Sequence, residues 1–266
     1  MKQFFNILIL LFATFFVFSS SANAKITEFV QVTDLHFEQN EASVKNFDDL
    51  IKFINKNLKD ADFVVFTGDN IDKANKKTLV EFLKMCKNLN KPYYIEIGNH
   101  DCFKSHHLDK VTYAKLVGQY SNQKHKDFNF VVKHSDIIFI FIDGMKEIIP
   151  ARSGYFKEAQ LIWLDKQLTK YKDKKVIIFQ HFPLIDEREK SSHNLHLSQN
   201  YFEVLSKHNN VKAIFAGHYH QAKEENINGI FHIVTPPAKQ PESTIRYVVV
   251  DDTKNEFEIY STLINF

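Results

Sequence analysis

Cysteine, glycine, proline and arginine are all scarce in this sequence, and the shortages exclude several classes of protein. The 266 residues include two Cys, seven Gly and six Pro, too little Gly and Pro for a collagen-like or low-complexity chain. Two thiols cannot complete a zinc–thiolate site. Hydrophobic residues make up 44% of the chain and charged residues 25%, which is the composition of a folded domain with a substantial core.

The chain also lacks an excess of charge of either sign. Lys and Arg number 34 against 32 Asp and Glu, a formal net charge of +2, and Arg occurs only at positions 152, 188 and 246. Because there is neither a basic stripe nor a supply of bidentate arginine side chains, sequence-specific nucleic-acid binding is not expected. Any anionic ligand must be bound locally by other groups.

The first 24 residues have the pattern of a cleaved signal peptide. Lys2 precedes an apolar run at 7–18, and the small-x-small sequence at 22–24 is typical of a cleavage site. The run is shorter than the roughly 20 residues that cross a bilayer, and no second run of that length follows. We therefore predict export to the periplasm or the exterior, and no membrane span in residues 25–266.

Cys86 and Cys102 are the two thiols of the sequence. An oxidising compartment after export would permit a disulfide between them. Cys86 falls in an apolar stretch with helical periodicity, where a buried free thiol is at least as compatible with the pattern. The sequence leaves both alternatives open.

Short apolar runs rich in Val, Ile and Phe alternate with amphipathic stretches. Three stretches have apolar residues at three- and four-residue spacing, which predicts helices: 43–59, 78–89 and 158–171. Six apolar runs predict strands: 26–32, 63–66, 93–97, 137–142, 176–179 and 211–215. The last two contain almost no polar residue, as is typical of strands buried on both faces.

Two antiparallel features add to this alternation. A strand at 128–132 is predicted to turn at 133–136 into the next strand, and Asn228-Gly229 is typical of a two-residue hairpin turn. The chain reads as β from 226 onward. No linker or repeat divides residues 25–266, so we predict one α/β domain, a four-layer α-β-β-α sandwich in which two mixed sheets pack face to face with helices outside.

Polar side chains that can bind metals follow five of the predicted strands. They are Asp34 and His36, Asp69, Asn99 with His100 and Asp101, His181, and His218 with His220. Because loops at the carboxyl ends of strands converge at one edge of an α/β sheet, these side chains are expected to meet. Ordinary loop polarity would explain any one of them but does not explain the set.

The spacing within these loops also favours a shared site. Asp34-x-His36 and His218-x-His220 would each place two side chains on the same side of an extended segment, so that each pair could reach one centre. Glycine precedes the polar residues in three loops, where a missing Cβ permits a tight turn. Nitrogen and oxygen ligands without thiolate suit Mn, Fe, Zn, Co or Ni better than Ca or Mg.

In order and approximate spacing, these motifs resemble the calcineurin-like metallophosphoesterase superfamily over residues 26–220. The matching segments are Asp34-x-His36, Gly68-Asp69, Gly98-Asn99-His100-Asp101, His181 and Gly217-His218-x-His220. The resemblance implies two divalent metals, one held by Asp34, His36, Asp69 and His220 and the other by Asp69, Asn99, His181 and His218. It also implies that His100 faces the substrate, oriented by Asp101. The alternative for this pair is that it only braces Asn99.

The implied activity is hydrolysis of a small phosphate ester by a hydroxide that bridges the two metals, with His100 as the acid. Charge counting is compatible with an anionic substrate. Two divalent cations would contribute a charge of about +4, Asp34 and Asp69 a charge of −2 and the hydroxide a charge of −1. The net charge at the centre would then be about +1.

The form of the motifs looks more like bacterial phosphodiesterases of the class III cyclic-nucleotide type than like purple acid phosphatases, whose metal-binding Tyr would fall at Asp72. Gln180 and Phe182 depart from the His-His-Pro-Pro of that group, so phosphodiesters and phosphomonoesters both stay open as substrates. The alternative function is a catalytically silent metal-binding scaffold of the same fold. The sequence does not indicate the oligomeric state.

Two further histidines, His193 and His196, fall in the loop after His181, with Arg188 nearby. A solvated loop is the simpler interpretation of this segment. Contact with the substrate is the alternative.

Overall fold

The computed structural model describes residues 26–148, 151–253 and 257–266. The predicted signal peptide at 1–24 lies outside these ranges and stays a prediction. The strands are β1 (Ile26–Val32), β2 (Phe63–Thr67), β3 (Tyr93–Glu96), β4 (Phe130–His134), β5 (Ile137–Phe141), β6 (Lys175–Phe179), β7 (Val211–Ala216), β8 (Lys223–Ile227), β9 (Ile230–Val234), β10 (Thr244–Asp251) and β11 (Glu258–Asn265). The α-helices are α1 (Glu41–Asn57), α2 (Lys76–Cys86), α3 (Lys110–Tyr120), α4 (Glu158–Lys170) and α5 (Ser198–Leu205).

The strands form two mixed sheets. The first has the order β11-β10-β1-β2-β3, with β1, β2 and β3 parallel and the remaining pairs antiparallel. The second has the order β4-β5-β6-β7-β9-β8, in which the four central strands are parallel and both edge strands are antiparallel. Several parallel strands of each sheet therefore end at the same edge, where their loops can meet.

Phenylalanine fills the space between the two sheets. The Phe29 ring on β1 lies 5.3 Å from the rings of Phe179 and Phe215 and 5.9 Å from that of Phe139, all three on the second sheet. The next residue of β1, Val30, belongs instead to the core on the helix side. Because both faces of these strands are buried, the strands show no alternation of apolar and polar residues.

The helices cover the outer faces of the sheets. On the first sheet, the rings of Phe47 of α1 and Phe82 of α2 lie 6.1 Å and 5.4 Å from that of Phe66 on β2. On the second sheet, Phe202 of α5 packs against His232 of β9. These contacts confirm the predicted four-layer sandwich of two mixed sheets with helices outside. Within the described ranges, no helix combines the length and apolar character needed to cross a bilayer.

The predicted elements match most of the observed ones, with three differences. Helix α3 is not predicted, because Val111 is exposed on it and Gly118 lies within it. Helix α5 has no predicted range either. The turn between β4 and β5 is shorter than predicted, since Lys133 and His134 pair with β5 and only residues 135–136 form the turn. The predicted Asn228-Gly229 turn is confirmed, with φ of 54° and 83° at the two residues.

A buried polar network joins the two sheets near the ends of β2 and β7. The Gln31 amide on β1 donates to Thr67 Oγ1 and to the Ala216 carbonyl, each at 3.0 Å. Thr235 Oγ1 donates to Gln31 Oε1 at 2.7 Å and accepts from Arg246 Nε at 2.9 Å. Thr67 and Ala216 are the last residues of their strands, so the network fixes the spacing between the two loops that begin there.

Cys86 and Cys102 are both buried free thiols. Cys86 is the last residue of α2 and Cys102 follows the loop after β3. Burial raises the pKa of both thiols well above the ordinary value, which makes them poor nucleophiles. The sequence left open both a disulfide and free thiols, and the structure contains free thiols.

His232 is a buried imidazole without hydrogen-bond partners. It is 2% exposed, and neither ring nitrogen has a partner in the described part of the chain. Burial lowers its pKa from 6.5 to about 4. Because the unfolded chain takes up this proton first, the free energy of unfolding should fall as the pH decreases from 6.5 to about 4.

Replacing His232 with Leu is expected to remove this part of the acid sensitivity. Relative to wild type, the variant should retain roughly 1–3 kcal/mol more of its unfolding free energy between pH 7 and pH 4. Urea unfolding of both proteins across this range measures the difference. His107→Gln, at an exposed histidine, is the control and should follow wild type. Identical pH dependence in His232→Leu and wild type would contradict the interpretation.

Candidate metal centre

The loops after β1, β2, β3, β6 and β7 bring the predicted ligands together at one edge of the sandwich. Three groups have ligand atoms within 4.8 Å of one another. They are Asp34, His36 and His220; His36, Asp69 and His100; and Asp69, His181 and His218. All of the predicted Asp and His ligands therefore lie in one cluster, and Asp69 belongs to two of its groups.

The first group lies around Asp34. Its Oδ2 accepts from Thr33 Oγ1 at 2.7 Å and from the His218 amide at 2.8 Å, while its Oδ1 is buried and has no hydrogen-bond partner in the part of the chain that the structure describes. His220 Nε2 lies 3.3 Å from this oxygen and 3.1 Å from His36 Nε2. Two imidazole nitrogens and a carboxylate oxygen thus converge on one point.

The third group lies around His181. Its Nδ1 donates to the Thr67 carbonyl at 2.9 Å, because a carbonyl can only accept. In the neutral imidazole, Nε2 therefore carries the lone pair. This nitrogen is buried without a hydrogen-bond partner among the described residues and lies 3.4 Å from Asp69 Oδ2. His218 Nε2 and Asn99 Oδ1 are also buried without partners. A histidine held from behind by a carbonyl is typical of metal ligands.

Asp69 lies between the group around Asp34 and the group around His181. Its Oδ2 is 3.8 Å from His36 Nε2 and 3.4 Å from His181 Nε2, and its Oδ1 accepts from the His100 amide at 2.8 Å. Buried ligand atoms without partners would be costly in an apolar interior. Their presence on both sides of Asp69 is compatible with two bound cations.

The pKa values reflect the same crowding of charge. Burial raises the pKa of Asp34, but the nearby imidazoles of His220 and His181 outweigh it and lower the value to about 2. Asp69 is likewise held well below its ordinary pKa despite burial, mainly by His181. Burial lowers the pKa of His181, but Asp69 raises it to about 9. A proton on His181 thus balances carboxylates whose charge a cation would otherwise neutralise.

His100 lies beside the first group, with its ring 4.6 Å from that of His36. Its Nδ1 donates to the Asp72 carbonyl at 2.6 Å, which leaves Nε2 for a ligand. The predicted partner was Asp101, so the contact that orients His100 differs from the prediction. The Asp72 carboxylate in turn lies 3.4 Å from His36 Nδ1.

The Asp101 carboxylate braces backbone instead. It is fully buried and accepts from the amides of Gly98, Asn70 and Ile71 at 2.8 to 3.1 Å. Burial and the nearby charge of Asp69 raise its pKa to about 6. These bonds join the loop after β3 to the loop after β2, so Asp101 positions Asn99 and His100 rather than contacting the imidazole. Asp101 therefore has the alternative role, in which it braces the loop that carries Asn99.

Backbone strain is concentrated at the centre. Five of the seven predicted ligands have left-handed backbone: Asp34 (φ 50°), His36 (46°), Asp69 (50°), His218 (72°) and His220 (51°). Such conformations cost on the order of 1–3 kcal/mol each in non-glycine residues and cluster at functional sites. They contradict the expectation of locally extended segments. His218 and His220 also fall in different groups, so the expectation that this pair shares one centre is wrong.

Gly98 lies so close to Asp69 that a side chain would displace the carboxylate. A Cβ at Gly98 would lie 2.2 Å from Asp69 Oδ1 and 2.5 Å from the Asp69 backbone nitrogen. We expect Gly98→Ala to destabilise the fold by about 1–3 kcal/mol and to weaken metal binding roughly 10- to 100-fold. Calorimetric metal titration and thermal unfolding measure both effects. The control Gly118→Ala meets only one atom, at 3.4 Å; wild-type metal affinity in Gly98→Ala would contradict the assignment.

Sequence reasoning did not identify two residues that contact the predicted ligands. Thr33 hydrogen-bonds Asp34, and the Phe182 ring lies 4.9 Å from the rings of both His181 and His218. Phe182 is noted in the sequence only as a departure from the His-His-Pro-Pro motif, which does not indicate a contact with His181 and His218. The only sequence feature that could have indicated Thr33 is its position next to Asp34, a predicted ligand.

Comparison with known proteins defines the class of this centre. Residues 27–222 match the family described as calcineurin-like phosphoesterase. The match covers most of the chain, and the chain belongs to this family. The predicted class of enzyme, a metal-dependent phosphoric ester hydrolase, is thereby confirmed.

Two bacterial relatives are similar over most of their length. One is the protein named "Probable glycerophosphodiester phosphodiesterase GpdQ" of Arcobacter nitrofigilis, 28% identical over 239 residues, 86% of this chain and 83% of that protein. Another is "3',5'-cyclic adenosine monophosphate phosphodiesterase CpdA" of Haemophilus influenzae, 25% identical over 232 residues, 82% of this chain and 79% of that protein. Both agree with the predicted likeness to bacterial phosphodiesterases.

A solved structure shares the fold. It is a dimetal phosphatase from Danio rerio, with a TM-score of 0.63 and 16% identity over 90% of this chain and 99% of that one. At this level of identity the likeness concerns the arrangement of the two sheets and the helices. It agrees with the four-layer sandwich described above.

Proposed function

We propose that this chain is an exported phosphodiesterase that works with two divalent ions. Asp34, His36, Asp69 and His220 would hold one ion, and Asp69, Asn99, His181 and His218 would hold the other. The observation that carries the proposal is the set of buried ligand atoms without partners on both sides of Asp69. Their nitrogen and oxygen chemistry suits Mn, Fe, Zn, Co or Ni.

Bound divalent ions would supply Lewis-acid activation of water and of the phosphoryl oxygens. The chain's own residues perform the remaining tasks. Asp34 and Asp69 contribute only two negative charges to the site, fewer than the charge of about +4 that two divalent ions would bring, so an anionic ester would not be repelled. His100, held through Nδ1 by the Asp72 carbonyl, offers Nε2 to protonate the departing alkoxide.

The relatives favour a diester over a monoester as the substrate. The names of both bacterial relatives describe phosphodiesterases, one for glycerophosphodiesters and one for a cyclic nucleotide. The two substrates share a phosphorus that carries two ester bonds. We therefore propose small phosphodiesters as the substrate class of this chain.

Export is proposed from the sequence pattern of residues 1–24. An exported enzyme acts on phosphodiesters in the periplasm or outside the cell, not on a cytoplasmic messenger. Fractionation of expressing cells tests this point. Recovery of a shortened chain beginning at Lys25 outside the cytoplasm supports export, and recovery of the full-length chain in the cytoplasm contradicts it.

One experiment separates the enzyme from the silent scaffold. Residues 25–266 are purified, stripped of metal and reloaded with Mn, Fe or Zn, and hydrolysis of four substrates is compared: an aryl phosphomonoester, an aryl phosphodiester, cyclic nucleotides and glycerophosphodiesters. The proposal predicts turnover that depends on metal and is fastest with a diester. Two bound metals without turnover of any substrate would favour the scaffold.

A further inference from the structure

An imidazole outside the predicted ligand sets also contacts the centre. The His193 ring lies 5.3 Å from the His218 ring, at an interplanar angle of 75°. The His193 side chain is 30% exposed, whereas His218 is only 8% exposed. His193 therefore lies against the centre and is still open to a molecule that enters from solvent.

Glu187 fixes which nitrogen of His193 is available. Glu187 Oε2 lies 3.2 Å from His193 Nδ1 and also accepts from the Ser191 hydroxyl. The Ser191 bond contributes most to lowering the pKa of Glu187, so the carboxylate is ionised and can only accept. Nδ1 of His193 is thus the donor, and Nε2 is the nitrogen left for a ligand.

The loop that carries His193 is held in place at several points. Asn194 Oδ1 accepts from the Glu187 amide at 2.8 Å, and Asn194 Nδ2 donates to the Arg188 carbonyl at 2.9 Å. Tyr219, which adjoins His218, donates from its hydroxyl to the Ile185 carbonyl at 3.0 Å. A side chain held in this way loses little conformational entropy when it binds a ligand.

His193 and His100 lie on different sides of the centre. His100 contacts His36, a proposed ligand of one ion, and His193 contacts His218, a proposed ligand of the other. A phosphodiester carries two alkoxy groups, of which one departs beside the acid and one stays on phosphorus. A phosphomonoester has an oxygen in place of the second alkoxy group but no second alcohol, so a contact with a hydroxyl of that alcohol is available only to diesters.

We propose that His193 accepts a hydrogen bond from a hydroxyl of the alcohol that stays esterified to phosphorus, and thereby selects phosphodiesters over phosphomonoesters. The inference rests on the proposed function, in which His100 protonates the leaving alkoxide. The contact is one hydrogen bond at Nε2 and involves no covalent step. His193 is thus a specificity-determining residue, positioned by Glu187.

Three substitutions at His193 distinguish substrate contact from support of the loop. An Asn side chain reaches the position of Nδ1, so His193→Asn keeps the contact with Glu187 and loses the atom at Nε2. A Gln side chain reaches the position of Nε2. We expect His193→Ala and His193→Asn to lower kcat/KM for a 3-hydroxypropyl aryl phosphodiester roughly 10- to 100-fold, and His193→Gln to retain most of it.

The matched substrate is an aryl phosphomonoester with the same leaving group, for which kcat/KM should change less than about threefold. Metal content, measured for every variant, should stay at the wild-type value. His196→Ala is the control, because His196 is exposed in the same loop and its ring packs 5.8 Å from Tyr155.

Equal losses on the two esters, no loss on either, or higher diesterase activity in His193→Asn than in His193→Gln would each overturn the assignment. Failure of the proposed function gives a different result. In that case the metal-loaded wild type hydrolyses neither ester.

Discussion

Replacing His100 with Asn is expected to lower kcat for an alkyl phosphodiester by about 10²- to 10⁴-fold, the usual contribution of general acid catalysis. The Asn side chain can still donate to the Asp72 carbonyl that accepts from His100 Nδ1, but it has no atom at the position of Nε2. Metal content should therefore stay unchanged while proton donation is lost. Steady-state kinetics and elemental analysis of the same preparations measure the two quantities.

The leaving group provides an internal check on this prediction. An aryl oxide of low pKa departs without protonation, so the loss in His100→Asn should be much smaller for an aryl diester than for an alkyl diester. His107→Asn is the matched control, because His107 is exposed and has a φ of 57° that Asn tolerates. Full activity on the alkyl diester would remove His100 from the mechanism.

Replacing Asp69 with Asn should have the largest effect on the metal centre. Asp69 lies 3.8 Å from His36 Nε2 and 3.4 Å from His181 Nε2, so it can serve both ions. Loss of its charge should weaken both sites and lower kcat/KM by at least about 10³-fold, because metal-ion catalysis contributes several kcal/mol. Activity measured over a range of metal concentrations detects the change.

Comparison with a second ligand variant makes this prediction specific. Asp34 belongs to one group only, so Asp34→Asn should retain about one metal per chain, whereas Asp69→Asn should lose both. Asp173→Asn, at an exposed position, should behave as wild type. Equal metal content in Asp69→Asn and Asp34→Asn would show that Asp69 does not lie between two ions.

Much of the fold could be predicted because its strands are buried on both faces. Apolar runs such as 176–179 and 211–215 fit strands flanked by Phe on one side and helices on the other. Helix α3 was missed because its amphipathic pattern is weak. The pattern of apolar residues along a chain reports burial, and an element that is only partly buried leaves a weaker signal.

The cluster of Asp and His side chains was predictable because each follows a strand that ends at the same edge, but the grouping of these side chains was not predictable from spacing. The left-handed backbone at His218 and His220 sends two neighbouring side chains to different groups. The environment of His100 was predicted incorrectly for a related reason. The Asp72 carbonyl that binds it belongs to the backbone, and a backbone contact has no residue-type signal in the sequence.

The position of His193 beside His218 was also not predictable from the sequence. Its proximity to His218 depends on how the loop after His181 folds back over the centre, with Asn194 bound to both Glu187 and Arg188. Contacts of this kind depend on loop conformation, which periodicity does not encode. The sequence indicated only that a histidine was present in that loop.

The number of metal ions bound per chain tests the central claim most directly. Residues 25–266, stripped of metal and then reconstituted with Mn, Fe or Zn and freed of excess ion, should contain two ions per chain by elemental analysis. A chain that binds no ion, or that still binds two after both Asp34 and Asp69 are replaced by Asn, would contradict the account.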